Sequence, residues 1–439
     1  MGRKSLDRER PSRRSVSGGK RNRCIIFPAN VCITAEALER RNQSWFARTN
    51  IPSDLIVRIG ENNFHLHKLS MVSRSGYLNR LVFQRRGYEE RDSGLNIHIE
   101  NLPGGIETFE LVVKFCYGLT FNLTAVNIAP LYCAAHFLEM IDDLEQGNLI
   151  SKTEVFLSFV IFSSWKDTIR IFRSCETISS WAKELQLLNQ CSESIAWKAC
   201  TDPQAISIGD NEVLCFNYLT NNTKNSKNKV NTVAESWWFE DVSLLRIDHF
   251  VEVINAVKRK GMQSKLVGRC ITQWAVKWLS QIHNYRDKVL RVTVESLLRI
   301  ILPLEEGSIS CNFLLHLLKA GLMMNIDLPL LTDLERIIAR MLENCGAVDL
   351  MVQNYGNDDT VYDVSLVARV VEAYVAYASS NPTLRMFVVG RMVDEYLALV
   401  ARDVKLSVKR FQLLAEALPE NARYCDDHLY RAIDMYLKV

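Results

Sequence analysis

The sequence predicts a small α+β domain followed by a mostly α-helical region. Near the N-terminus, residues 54–60, 64–68 and 95–102 alternate apolar and polar side chains, as half-buried strands do. Beyond residue 151 apolar side chains recur at helical spacing instead, and we identify no further alternating segment. The helical region is expected to form either a bundle or an irregular solenoid.

The first two alternating segments predict a β-hairpin. "DLIVRIG" (54–60) stops at a polar turn, and "FHLHK" (64–68) begins after it. A short helix is expected next, in "KLSMVSRSGYLNRLVF", and "LNIHIENL" (95–102) is the third strand. The helix in "IETFELVVKFCYG" (106–118) should close at Gly118, because glycine readily adopts the left-handed conformation that ends many helices.

Three further helices are expected around this domain. Residues 33–48 ("ITAEALERRNQSWFAR") have a helical pattern that ends in an aromatic pair. Another helix begins near Asn127, with Pro130 in its first turn, where the missing N–H breaks no helical hydrogen bond. "SKTE" (151–154) matches a capping box with Ser151 as N-cap, and an apolar helix follows it.

The second half of the chain is predicted to be a series of amphipathic helices after a polar linker. The linker, residues 201–235, contains "NNTKNSKNKVN" and is poor in large side chains at its centre. From Trp237 onward apolar stripes recur without a clean internal repeat, and the last helix begins near Asp427. The stripes lie at 247–257, 266–278, 290–301, 313–323, 330–342, 364–378, 386–400 and 407–418.

The N-terminal end forms a basic tail. Residues 1–23 contain nine lysines and arginines against two acidic residues, a net charge of +7, so the rest of the chain carries −4. With few apolar residues, residues 1–29 are expected to be disordered. Three interpretations stay open: a plain solvated tail, a segment that binds anionic membrane lipids, or a nuclear or nucleic-acid-binding arm. Ser12 and Ser15 lie beside arginines and are candidate phosphorylation sites, where phosphate reduces the positive charge.

The composition favours a cytoplasmic protein. The N-terminus is charged and lacks the apolar segment of a secretory signal. Twelve cysteines are scattered without a Cys-x-x-Cys pair and are expected to be reduced, buried thiols. The longest stretch without charged side chains, 115–138, includes asparagines, a proline and a histidine, so we reject a transmembrane helix there. Peripheral contact with the plasma membrane and a nuclear location both stay open.

The pair His65 and His67 is the first candidate for a metal site. Residues two apart on a strand point to the same face, and imidazoles bind metals. Few further ligands are nearby, however: Asp54 opens the neighbouring strand, and the next cysteine downstream is Cys116. We therefore expect a structural role for the pair, and neither a metal nor another cofactor.

No other cluster predicts catalysis. Cys133 and His136 lie one turn apart among apolar neighbours, which indicates a buried thiol. The segment 425–436 combines carboxylates with a histidine, but Asp426 or Asp427 there is placed to cap a helix. The sequence contains no GxGxxG, phosphate-loop, GxSxG or HExxH motif, so an enzyme is the least expected class.

The segment "SDLIVRIGENNFHLHKLSMVSRSGYLNRLVF" resembles the start of a BTB/POZ domain. In that family an Asp opens the first strand, an aromatic-x-x-His-basic run forms the second, and a helix with a Ser-x-Tyr pattern follows. The resemblance implies that Asp54 and Lys68 lie at a charged pocket near the dimer interface and that His67 is buried. The residues matching the pattern are Asp54, Phe64, His67, Lys68, Ser75 and Tyr77.

Further segments resemble the plant BTB proteins of the non-phototropic-hypocotyl type. They are "NLISKTEVFLSFVIFSSWKDTIRIF" (148–172), "SWWFEDVSLLRIDHFVEVINAVKRKG" (236–261), "LPLEEGSISCNFLLHLLKAG" (302–321) and "RYCDDHLYRAIDMYLK" (423–438). Within the last segment, Tyr424, Asp427 and Tyr430 match the C-terminal tyrosine motif of that family. The family pattern continues beyond this motif, so the resemblance implies a chain shortened at its C-terminus.

This resemblance implies a division of the chain into five parts. They are a disordered basic tail (1–29), a BTB/POZ domain (30–145), a BACK-like helical extension (146–200), the linker (201–235) and a shortened helical domain of the plant type (236–439).

The resemblance also implies a function. BTB domains of this kind dimerise, with a second copy or another BTB protein, and bind cullin-3, while the helical domain receives a substrate or signalling partner. We therefore expect a substrate-specific adaptor of a cullin-3 ubiquitin ligase, whose substrate the sequence does not name. Relatives act in light and auxin signalling, so a receptor kinase of the phototropin type is a further expected partner.

Two other functions compete with this one. A membrane-associated scaffold of light or auxin signalling, without a role in ubiquitination, uses the affinity of residues 1–23 for anionic lipids. A nuclear regulator requires a DNA-binding module. The sequence has neither a zinc finger nor a basic helix, so nucleic acid is not an expected partner.

Overall fold

The computed structural model divides the chain into two compact units, Met1–Phe159 and Val160–Val439. The predicted fold class is confirmed, because a small sheet with helices is followed by a mostly helical region. The predicted disordered tail, Ser12, Ser15 and all but the first residue of the predicted linker lie outside the described residues. The structure describes residues 33–84, 95–201, 236–279, 288–354, 360–381 and 385–438.

The first unit is built on a five-stranded sheet with the order β1-β2-β4-β3-β5. Strands β1 and β2 are antiparallel, as are β3 and β4, whereas β2 with β4 and β3 with β5 are parallel pairs. The predicted hairpin and third strand are confirmed as β3, β4 and β5. The strands are β1 (Ala37–Arg41), β2 (Ser44–Arg48), β3 (Leu55–Ile59), β4 (Asn62–Leu66) and β5 (Leu95–Ile99).

Helices cover the apolar face of this sheet. Phe64 at the centre of β4 is fully buried, and its ring meets the edge of Phe109 with centroids 4.8 Å apart. The helix predicted at 106–118 ends as expected, with Gly118 in the left-handed region at φ 71°. The helices of this unit are α1 (Lys68–Val72), α2 (Gly76–Gln84), α3 (Gly105–Cys116), α4 (Ile128–Phe137) and α5 (Leu149–Ser163), the last continuing into the second unit.

The prediction of a helix at 33–48 is wrong, because this segment forms the hairpin of β1 and β2. Ala, Leu, Glu and Arg are good helix formers, but the chain reverses at Asn42, which has a positive φ of 55°. Trp45 is then buried by stacking on Phe64, with ring centroids 5.7 Å apart. Tertiary packing of one aromatic side chain thus outweighs the local helical propensity.

The capping box predicted at 151–154 is also wrong. Helix α5 begins three residues earlier than that cap implies, at Leu149, after the fully buried Asn148, whose side-chain oxygen accepts from the Leu149 amide at 2.8 Å. Ser151 lies inside the first turn, where its hydroxyl donates to Asp142 at 2.7 Å. The Asn148 side-chain amide also donates to two backbone carbonyls, so long-range hydrogen bonds select this start.

The second unit contains the predicted series of amphipathic helices. Most of their contacts join helices that are adjacent or next-adjacent in the chain. None of the helices in the described parts of the chain is both long and apolar enough to cross a bilayer. The helices are α6 (Trp165–Ser174), α7 (Ser179–Glu184), α8 (Leu187–Ala199), α9 (Phe239–Val242), α10 (Ile247–Arg259), α11 (Ser264–Leu279), α12 (Lys288–Ile301), α13 (Cys311–Met323), α14 (Leu328–Met341), α15 (Val364–Ser379), α16 (Met386–Val400), α17 (Val408–Glu416) and α18 (Asp427–Leu437).

Candidate protein-interaction sites

The junction between strand β4 and helix α1 gathers three of the predicted BTB residues. Asp54 precedes β3, and its carboxylate accepts a hydrogen bond from the Lys68 amide at 2.7 Å, at the first residue of α1. The Asp54 backbone also donates to Leu66 at 3.1 Å and accepts from Leu95 at 3.3 Å. One residue therefore fixes the start of α1 to three strands, although its side chain is exposed.

His67 fills this junction and is buried, as the resemblance implied. Its backbone N–H donates to the Tyr117 hydroxyl at 2.7 Å, and its Nδ1 lies 2.9 Å from the same oxygen. Nε2 lies 2.9 Å from the Ile51 carbonyl. Because a carbonyl only accepts, Nε2 carries the proton, and Nδ1 accepts from Tyr117. Both ring nitrogens are thus engaged inside the fold.

His65 belongs to a different environment from His67. It is partly exposed on the outer face of β4, where its ring stacks on Phe46 with centroids 4.4 Å apart. Partial burial lowers the pKa of its imidazole. The expectation that both rings lie on one strand face is wrong, because β4 ends at Leu66 and His67 is the N-cap of α1. Among the described residues the two histidines share no hydrogen-bonding partner. Within the described residues no three His, Cys, Asp or Glu side chains are grouped to hold a metal ion.

Ser75 and Tyr77 join helix α2 to the end of helix α4. The Ser75 hydroxyl donates to Leu138 at 2.7 Å and accepts from the Leu78 amide at 3.2 Å. The Tyr77 amide donates to the same Leu138 carbonyl at 3.2 Å, and the Tyr77 ring packs on Phe137. These contacts give both residues a role in the fold. The proximity of Asp54 and Lys68 to a dimer interface stays a prediction.

Two arginines in the same region were not predicted. Arg74 forms an ion pair with Glu145 and donates to the Phe115 and Cys116 carbonyls at 2.8 and 2.7 Å. Arg80 pairs with Glu139. Tyr117 was missed as well, because a single tyrosine beside a helix-ending glycine carries no periodic signal. The burial of its hydroxyl raises its pKa above the usual range.

The predicted thiol at Cys133 is confirmed as a core residue. It is fully buried in helix α4, and burial raises the pKa of its thiol to about 12. The neighbouring His136 packs edge-on against Tyr132. A thiol that stays protonated at neutral pH is a poor nucleophile, so this pair is built for packing.

An exposed apolar stripe lies on helix α5, directly after the sheet domain. Val155 and Phe159 are one turn apart and are 73% and 72% exposed. On the other side of the helix Leu157 is buried. The Glu154 carboxylate, one residue before Val155, accepts a hydrogen bond from the Tyr132 hydroxyl at 3.4 Å. The helix is therefore held against the domain on one side and presents apolar side chains to solvent on the other.

The C-terminal tyrosine motif is displayed on the surface. Tyr424 and Tyr430 are 86% and 68% exposed, and Tyr424 lies beside Phe387. Helix α18 begins at Asp427 and has Asp426 at its N-cap, as predicted, but the Asp426 side chain makes no capping hydrogen bond. An open groove of about 870 Å³ lies between α17 and α18.

Arg423 anchors this motif. Its guanidinium pairs with Asp394 at 3.0 Å, and both side chains are almost completely buried. A further hydrogen bond reaches the Ala415 carbonyl at 3.1 Å. Burial raises the pKa of Asp394, and Arg423 opposes that rise. The sequence alone did not indicate the Arg423–Asp394 ion pair, because it shows only that an arginine precedes Tyr424.

The described geometry agrees with comparisons to known proteins. A BTB/POZ domain model matches residues 46–151, and the NPH3 family model matches residues 236–439. Root phototropism protein 3 of Arabidopsis thaliana is 39% identical, over 92% of this chain and 70% of that protein. The chain belongs to the NPH3 family. Coleoptile phototropism protein 1 of Oryza sativa subsp. japonica is 36% identical, over 91% of this chain and 68% of its own length.

Membership in the NPH3 family confirms the resemblance found in the sequence. The BTB/POZ region together with the NPH3-family region supports an adaptor or signalling role. BTB domains act through protein–protein contacts, so the relevant features of this chain are its surfaces.

Replacing His67 by alanine should destabilise the first unit. The change removes the ring's hydrogen bonds to the Tyr117 hydroxyl and the Ile51 carbonyl and leaves the buried Tyr117 hydroxyl without its ring acceptor. We expect a cost of about 2–3 kcal/mol in the free energy of unfolding and weaker dimerisation. His65→Ala is the matched control and should cost less than about 1 kcal/mol. Urea unfolding and sedimentation measure both effects. A variant that folds and dimerises normally but loses a bound metal contradicts this interpretation.

Arg423→Met should destabilise the second unit strongly. The buried Asp394 carboxylate then lacks its cation, which costs about 3–5 kcal/mol in the free energy of unfolding. Arg431→Met, an exposed arginine on α18, should change it by less than about 0.5 kcal/mol. The urea midpoints of the two variants provide the comparison, and equal midpoints would refute the anchoring role.

Proposed function

We propose that this chain is a substrate-specific adaptor of a cullin-3 ubiquitin ligase. In this proposal the BTB unit dimerises and binds cullin-3, and the NPH3-family region recruits a protein for ubiquitination. The chain itself then catalyses no reaction and needs no cofactor. The proposal keeps the division into a BTB domain (30–145), a BACK-like extension (146–200) and a helical domain (236–439).

The observation that carries the proposal is the apolar stripe of Val155 and Phe159 on α5. Isolated exposed apolar side chains are common, but two large ones a turn apart form a local apolar patch on an ordered helix. A partner helix or loop gains free energy by covering them, at about 25 cal/mol per Å² of apolar surface removed from water. The stripe therefore favours a protein partner at this position.

Cullin-3 is the partner we assign to this stripe. A specific interface covers about 800 Å² on each protein, so contact must extend beyond two side chains. Lys152 and Ser158 are exposed on the same helix and supply polar neighbours for the rim. The stripe immediately follows the BTB fold in the chain, which places it beside the module that the adaptor function requires.

The finer biological role is proposed from the relatives. Two of them carry phototropism in their names, Root phototropism protein 3 and Coleoptile phototropism protein 1. We assign this chain to light signalling linked to auxin, with a receptor kinase of the phototropin type as an upstream partner. The substrate recruited for ubiquitination is a separate protein that the NPH3-family region recognises.

Introducing acidic residues on the α5 stripe tests the cullin-3 assignment. The double variant Val155→Glu and Phe159→Glu should weaken binding of purified cullin-3 by about a hundredfold, because it places two charges in an apolar contact. Biolayer interferometry measures the affinity, and circular dichroism checks the fold. The control is Val292→Glu, at an exposed valine on α12, which should bind as the unchanged chain does. If the unchanged chain, the double variant and the Val292→Glu control bind cullin-3 with equal affinity, the α5 stripe is not the cullin-3 contact.

A membrane-associated scaffold without a ubiquitination role is the second candidate, favoured by the +7 charge of residues 1–23. Each basic residue near an anionic membrane surface contributes about 1 kcal/mol to the free energy of binding, and salt screens this attraction. The full chain should therefore sediment with phosphatidylserine vesicles at low salt, and less at high salt. Deleting residues 1–23 should abolish the effect, with neutral vesicles as the control. Unchanged binding after the deletion rules out the tail as the lipid contact.

A further inference from the structure

Two cysteine thiols of the NPH3-family region are in hydrogen-bonding contact with each other. Cys311 is the first residue of helix α13, and Cys345 follows the short turn after helix α14. Both thiols are free, and the Cys311 thiol donates to the Cys345 sulfur. The two residues are far apart in the sequence, so the fold itself creates this contact. The adaptor proposal makes no use of it.

Further contacts hold the two segments together. The Asn312 side-chain amide donates to the Asp349 carbonyl at 2.9 Å, which ties the first turn of α13 to the chain just beyond Cys345. The Asp349 carboxylate in turn accepts from the Gly346 amide at 2.9 Å. The Cys345 thiol also donates to the Met341 carbonyl at 3.1 Å, which orients its sulfur. The meeting of the two sulfurs is therefore fixed by the surrounding hydrogen bonds.

The two thiols differ in their access to solvent. Cys345 is partly exposed, and its neighbours Asn344 and Gly346 are exposed. Cys311 is only 4% exposed. A small dissolved molecule can therefore reach the Cys345 sulfur, whereas the fold shields the Cys311 sulfur.

The contact also makes the two thiols chemically unequal. The hydrogen bond from Cys311 lowers the pKa of the Cys345 thiol, although burial opposes this effect. The same hydrogen bond, together with burial, raises the pKa of the Cys311 thiol. The nearby charge of Asp349 raises the pKa of both thiols. Because the thiolate is the nucleophilic form of cysteine, Cys345 is the thiol of this pair that reacts first.

We propose that Cys345 and Cys311 are a modification site at which a hydroperoxide forms a disulfide. The Cys345 sulfur attacks one peroxide oxygen, the O–O bond breaks, and Cys345 becomes a sulfenic acid. The Cys311 sulfur then attacks the Cys345 sulfur, the S–O bond breaks, and an S–S bond forms.

Atoms and electrons balance in this sequence of steps. With hydrogen peroxide as the oxidant, each thiol proton goes to a departing hydroxide, so the peroxide leaves as two molecules of water. The peroxide gains the two electrons that the pair of thiols loses. Exchange with a small thiol reverses the modification, because a thiolate can attack the disulfide.

The disulfide joins the start of helix α13 to the segment that follows helix α14. It closes a covalent loop around both helices, and such a loop restricts the conformations open to the chain. The site goes beyond the adaptor proposal, because it gives the NPH3-family region a response to oxidants that is independent of cullin-3.

Peptide mapping of the full chain after oxidation tests this site. The reduced chain is treated with hydrogen peroxide, its remaining thiols are alkylated, and it is digested with trypsin in the absence of reductant. Cleavage after lysine and arginine leaves Cys311 as the only cysteine of peptide 300–319, and Cys345 as the only cysteine of peptide 341–369. Mass spectrometry should recover the two peptides as one linked species, which a reductant separates.

Serine variants test the order of the two steps. Cys311→Ser keeps a hydroxyl donor beside Cys345 but removes the second sulfur, so the Cys345 sulfenic acid should accumulate and be captured by dimedone. Cys345→Ser should lose the linked species, and its buried Cys311 should give no dimedone adduct. Cys425→Ser, at an exposed cysteine, is the matched control and should form the linked species as the unchanged chain does. Circular dichroism verifies that each variant retains its fold.

The exposed Cys425 of the unchanged chain also calibrates the dose of peroxide. If Cys425 is oxidised while peptides 300–319 and 341–369 stay unlinked, the proposal is overturned. Absence of a dimedone adduct on Cys345 in the Cys311→Ser variant overturns it as well, because Cys345 is then not the thiol that meets the peroxide.

Discussion

The first unit depends on how the chain leaves strand β4 and enters helix α1. At that point His67 is buried, so each of its polar atoms must find a partner inside the fold. The Tyr117 hydroxyl serves both the His67 backbone and its ring, and Asp54 holds the next amide. These bonds join the end of α3, the start of α1 and the edge of β3. Without them, a polar junction would lie unsatisfied in the core.

The need to satisfy every polar atom of His67 inside the fold also limits what this side chain can do chemically. The His67 ring is committed to hydrogen bonds with Tyr117 and Ile51, so it has no free nitrogen for a metal or a proton transfer. The thiol of Cys133 is similarly committed to the core. These two side chains thus serve the fold, while large apolar side chains such as Phe159 face solvent. That distribution is typical of a protein that acts by contact.

Much of the architecture could be predicted where local pattern and tertiary packing agree. The alternation of β3 and β4 follows from one buried face, and Gly118 ends its helix through backbone geometry alone. The segment of β1 and β2 could not be predicted, because Trp45 finds its partner on a strand that follows later in the chain. The start of α5 depends on Asn148 bonding to Arg74, a contact between distant residues.

The candidate sites show the same limit. His67 and Ser75 could be selected from a family resemblance, but their partners Tyr117 and Leu138 carry no local signal. In the sequence, the α5 stripe is part of a continuously apolar helix. Only the structure shows that Val155 is exposed whereas its neighbour Leu157 is buried. The contact between Gly268 and the Ser308 carbonyl likewise joins two segments about forty residues apart, and only glycine permits it.

Affinity purification of the intact chain from plant tissue, followed by mass spectrometry, tests the adaptor account most directly. The account predicts that cullin-3 is recovered together with a BTB partner and that the recovery depends on the folded first unit. A second BTB protein known to bind cullin-3 serves as the positive control in the same extract. Recovery of cullin-3 with the control but not with this chain would contradict the account.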